Sequence, residues 1–60
     1  MCLATVFKES DHTVLMRNAS RIEVDGDKVI IEDIIGDRTT VIGRIKWVDL
    51  TGSEVCLVCE

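Results

Sequence analysis

The chain has 60 residues, 47% of them hydrophobic but only 3% aromatic, and eleven acidic against seven basic side chains give a net charge of −4. That length holds one small domain, over 1–60, which buries only about 60% of its unfolded surface and leans on a metal, a disulfide or a partner for stability. The acidic balance argues against nucleic acid, whose binding is driven by Lys and Arg. No run is long and apolar enough to span a membrane.

About a third of the residues are Val, Ile or Thr and none is proline, a composition suited to pleated strands. Turn-forming residues divide the chain into seven predicted strands, at 2–8, 13–17, 21–25, 28–34, 38–42, 44–49 and 54–58. The spacing predicts an all-β meander closing into a small SH3-like β-barrel.

The first predicted strand opens Met1-Cys2-Leu3-Ala4. At Cys2 a thiolate, a backbone amide and a free amine lie within chelating reach of one ion. If Met1 is removed, the Cys2 amine and thiolate form a five-membered chelate; if it stays, the Met1 amine, the Cys2 amide nitrogen and the sulfur act together. Nitrogen with soft sulfur in a near-planar set suits Ni(II) or Cu(II). A small buried hydrophobe is the competing reading of Cys2.

The polar turn at 9–12 carries His12, the only histidine. An exposed turn residue is its default reading; it completes a metal's coordination only if the first hairpin folds back toward the N-terminus. In the 21–25 strand, alternation turns Ile22 and Val24 inward. Asp25-Gly26 marks a hairpin, because glycine accepts the positive φ of tight turns.

Val29-Ile30-Ile31 and Val41-Ile42 are apolar on both faces. Something must cover the outside, so Ile30, Ile42 and Trp47 are candidates for a subunit interface in a homodimer; a second small core layer under a loop is the alternative. In the last strand Val55 and Leu57 point inward.

Cys56 and Cys59 form a C-x-x-C, a redox or zinc spacing on a loop. On a strand, residues three apart face opposite sides, so a surface-facing Cys56 and a chain-end Cys59 are expected. Either remains a secondary metal-ligand candidate. One histidine and no evident cleft leave little for catalysis, and an enzyme is not expected. The absence of a charged leader followed by an apolar run points to the cytoplasm, with reduced thiols.

Three segments carry a family resemblance: Met1-Cys2-Leu3-Ala4, Ile31-Glu32-Asp33-Ile34-Ile35-Gly36-Asp37 and Gly43-Arg44-Ile45-Lys46-Trp47-Val48-Asp49-Leu50. In this order the chain resembles the CooT family of small nickel-binding proteins associated with maturation of carbon monoxide dehydrogenase. The resemblance implies a homodimer of small β-barrels holding Ni(II) at the interface through Cys2 of each chain, with nickel-enzyme maturation machinery as client. Trp47, Cys56 and Cys59 stand outside the family pattern. The opening is also similar to HypC-type hydrogenase maturation chaperones, but these follow with Pro-Gly where this chain has Thr5-Val6-Phe7. An SH3-like RNA-binding module is a third reading, opposed by the charge.

Overall fold

A computed structural model describes residues 3–60, so Met1 and Cys2, the lead site residues, lie outside the described residues. The strands are β1 (Ala4–Lys8), β2 (Val14–Asp25), β3 (Lys28–Asp33), β4 (Arg38–Asp49) and β5 (Glu54–Cys59). They pair in sequence order and close into a barrel. Consecutive strands are antiparallel. In a meander of five, the first and last strands run the same way, and β1 closes on β5 in parallel.

The expected meander is therefore present, but with five strands where seven were predicted. Two predicted pairs merge because each long strand serves two neighbours. β2 pairs with β1 through Val14 to Ala19 and with β3 from Ala19 onward. Asn18-Ala19-Ser20, which reads as a turn, is instead a bulge: the register slips between Ala19 and Arg21, and the Ser20 hydroxyl lies 3.1 Å from the Asp33 carbonyl it donates to. A bulge bends a strand without ending it.

β4 does the same at Gly43. Up to Ile42 it pairs with β3, and from Gly43 with β5. The Gly43 N–H donates to the Asp27 carbonyl at 2.8 Å, and the Glu60 N–H donates to the Ile42 carbonyl at 3.0 Å. A Cβ at Gly43 would overlap the Val58 carbonyl oxygen. The glycine permits a close approach between strands rather than a chain reversal. By contrast, Asp25-Gly26 is the hairpin the sequence predicts, with Gly26 at φ 62° and Asp25 paired with Lys28.

Inside the ring, Val6, Ile31, Val29 and Leu57 are fully buried, with Met16, Ala19 and Val55 around them. Burying each of the four contributes about 1.5–3 kcal/mol relative to exposure. Val55 and Leu57 thus face inward as predicted. Val24 does not: it is 59% exposed, because it stands at the open hairpin end, whereas Ile22 packs against the core. Ile30, between the buried Val29 and Ile31, is half-buried, and Ile42 and Trp47 are exposed.

Candidate functional site

The start of β1 sits between two turns. Ala4 is in register with Ala19, which is in register with Asp33 on the far side, two strand spacings or about 10 Å away. There the β3–β4 turn begins, its Ile34 N–H donating to the Asn18 carbonyl at 3.1 Å. The Asp33 carboxylate holds this turn by accepting from the Ile35 and Asp37 N–H groups, each at 3.0 Å. On the other side, the Thr5 N–H donates to the Ser53 carbonyl of the β4–β5 turn at 2.9 Å.

Both turns are apolar where solvent-facing turns are ordinarily polar. Leu50 is 86% and Ile35 79% exposed, with Ile34 and Val48 about half exposed. Leu3, the residue that follows Cys2, lines a groove of about 310 Å³ with Ala4, Val48, Leu50 and Val55. Asp49 and Glu54 supply its carboxylates. They are cross-strand partners, and a Cβ at Gly52 would lie 3.1 Å from Asp49 Oδ2 and 3.5 Å from Glu54 Oε1. The groove beside the start of β1 is thus an apolar collar, made by Leu3, Val48 and Leu50, with a carboxylate rim; the β3–β4 turn that carries Ile34 and Ile35 joins the opposite strand ends.

The other predicted ligands lie elsewhere. His12 follows the opposite end of β1, its N–H donating to the Lys8 carbonyl at 2.9 Å. It is exposed, adopts φ 59°, and rests its imidazole on the Phe7 ring with centroids 5.5 Å apart. Beside it, Asp11 Oδ1 accepts from the Thr13 N–H at 3.0 Å. Hydrogen bonding from Thr13 holds the Asp11 carboxyl below the usual aspartate value of 3.8.

Cys56 is not surface-facing as predicted; it is only 2% exposed. Its neighbours in register are Phe7 on β1 and Trp47 on β4. The rings of Phe7 and Trp47 meet edge-on at 5.6 Å. Burial on an outward-facing register position comes from these aromatics, which a reading of β5 alone does not include. Cys59 is half-buried and packs against the inner core, so the two thiols take opposite faces, as the strand argument predicted. Both are free. Among the described residues, no three His, Cys, Asp or Glu side chains converge on a metal-sized site.

Residues 1–58 match the family described as CO dehydrogenase accessory protein CooT. The chain belongs to the CooT family. An uncharacterized protein of Archaeoglobus fulgidus is 43% identical over 45 residues, 75% of this chain and all of that one. Another, from Methanocaldococcus jannaschii, is 31% identical over 55 residues, 92% of this chain and 93% of that one. In fold, the chain is similar to a crystal structure assigned to CooT from Carboxydothermus hydrogenoformans, with TM-score 0.87, 20% identity and 98% of each chain covered. The CooT resemblance carried by the three sequence segments is thereby borne out.

The sequence does not single out the collar residues Leu3, Val48 and Leu50 as a site. One signal is present there: Leu50 is an aliphatic residue directly beside the turn signal Thr51-Gly52-Ser53.

Proposed function

We propose that this CooT-family chain is a non-catalytic Ni(II) carrier serving the assembly of a nickel enzyme such as carbon monoxide dehydrogenase. Two copies pack collar against collar, and each contributes the Cys2 thiolate with an amine or amide nitrogen. The observation that carries the reading is the apolar groove that Leu3 shares with Val48 and Leu50. A side chain as exposed as Leu50 gains from burial against a partner, and a two-fold contact at that end brings the two N-terminal segments together.

The donor set fits the cargo. Thiolate sulfur and terminal nitrogen suit Ni(II) better than the carboxylate oxygens of the rim. The rim carboxylate of Asp49 attracts a hydrated dication toward this end before the softer donors bind it. A dimer seated here also supplies the additional burial that a 60-residue chain needs. Because a free thiol titrates near pH 8.5, loading releases protons and affinity falls as pH falls.

Ni(II) titration of the wild type and Cys2→Ser tests the reading. A thiolate-to-nickel charge-transfer band appears in the wild type alone, and non-denaturing mass spectrometry reports one ion per two chains. Equal nickel binding by both proteins overturns it.

A further inference from the structure

We propose that the outer wall formed by β5, β1 and β2 is a second docking surface, for a polypeptide segment that sets one large apolar side chain between a basic and an acidic residue. Registers place Trp47, Cys56, Phe7 and Val14 in one transverse row over β4, β5, β1 and β2. Three strand spacings make this row about 14 Å long. Val14 is 39% and Trp47 41% exposed, so the row presents an apolar surface with an aromatic at one end. Aromatic anchors of this kind dominate binding energy at protein interfaces.

Charges along the Thr5 side of the row define the occupant. Lys46 and Glu9 are paired with each other. Arg17 and Glu54 form no ion pair among the described residues, and they line one groove of about 360 Å³ with Thr5, Phe7, His12 and Val14. Thr5 and Glu54 are in register across β1 and β5; Arg17 follows Met16, the β2 partner of Val6. The guanidinium-bearing and carboxylate-bearing strands therefore stand on either side of β1, about 10 Å apart. A bound segment offers its acidic residue to Arg17, its basic residue to Glu54, and its apolar anchor to Phe7 and Val14. His12, its ring against Phe7, lines the same groove.

The assignment to a second protein rather than a second copy rests on the collar being the subunit contact, since the collar is the more exposed apolar face. The nickel reading itself is not required. The probe is a capped nine-residue peptide with a central leucine between a lysine and a glutamate; the control carries glutamate at both charged positions. Amide and indole shifts are followed by NMR in 0.15 M salt. The bipolar peptide is expected to shift Phe7, Val14 and the Trp47 indole saturably, the control binding at least threefold more weakly. Arg17→Ser and Glu54→Gln each weaken the bipolar peptide at least threefold, and Cys2→Ser leaves it unchanged. Absence of a saturable shift, or wild-type affinity for the bipolar peptide in the Arg17→Ser or the Glu54→Gln protein, overturns the proposal. So does movement of the same signals on dilution of the protein alone, which assigns the row to a second copy.

Discussion

Phe7 and Trp47 meet edge to face at 5.6 Å on the two strands that flank Cys56. The contact bridges two strands that are not themselves paired, and the thiol between them is buried although its position faces outward. Edge-on aromatic pairs contribute about 0.5–1.5 kcal/mol beyond their buried area. The lid is therefore modest and removable by one substitution. In a Cys2→Ser background, a thiol reagent should modify the half-buried Cys59 well before Cys56. Phe7→Ala or Trp47→Ala should accelerate Cys56 modification at least tenfold, as read by peptide mass mapping over time. A Cys56 that reacts as fast in the parent as in the variants would show that the aromatics do not protect it.

Gly43 makes a sharper test of the architecture. Its φ of 155° lies at the margin of what an L side chain accepts, and the added Cβ would meet backbone, the Val58 carbonyl, which cannot swing aside. Substitution where the native conformation is incompatible costs more than the entropy gained, so Gly43→Ala should destabilise by more than about 1 kcal/mol. Urea unfolding monitored by Trp47 emission measures it. Because β4 passes from β3 to β5 at this point, the loss should spread to the β3–β4 and β4–β5 amides in hydrogen exchange, not stay local.

Why the sequence yields the meander but not its strand count follows from these bends. Strand composition, alternation and Asp25-Gly26 are local signals, and all three point to the observed elements. Gly43 and Asn18 are local signals as well, yet glycine serves close approach as readily as reversal, and a small polar residue serves a bulge as readily as a turn. Only the second pairing partner decides between them. The same holds for the thiols. Divergence of Cys56 and Cys59 was legible from strand period alone, whereas burial of Cys56 depends on Phe7, nearly fifty residues earlier, and on Trp47. The family was legible from three segments, one of them the Met1-Cys2-Leu3-Ala4 opening; the collar was not, since Leu3 meets Val48 and Leu50 only because β1 closes the ring on β5.

Acid should loosen the β1–β2 turn. The Thr13 hydrogen bonds hold the Asp11 carboxyl below its ordinary value of 3.8, so the charged form belongs to the folded turn. For a depressed carboxylate, the stabilising contribution is complete above the unfolded value and is lost as pH falls through the lower folded value. The Thr13 amide should therefore titrate with a midpoint below 3.8, and the His12 and Phe7 signals should move with it, because Asp11 precedes the strained His12. Asp11→Ala should abolish that titration and Asp11→Asn should retain the turn without it. An unshifted Asp11 midpoint would remove the coupling.

Leu50 separates the collar from the rest of the molecule. At 86% exposure in the single chain it contributes little to the barrel, and a surface substitution of this kind ordinarily changes stability by no more than about 0.5 kcal/mol. In a collar-to-collar dimer the same residue is central, where a buried unpaired carboxylate is strongly unfavourable. Leu50→Asp should therefore leave the fold of one chain intact, as judged by its circular dichroism, while light scattering shows dimer dissociation at a protein concentration at least tenfold above that of the wild type. Nickel stoichiometry should follow: with Cys2 present but the collar disrupted, the shared ion is lost or held by one chain with lower affinity. Retention of both the wild-type dimer and one ion per two chains by Leu50→Asp would place the subunit contact elsewhere, and Trp47, Ile30 and Ile42 would then be the faces to substitute next.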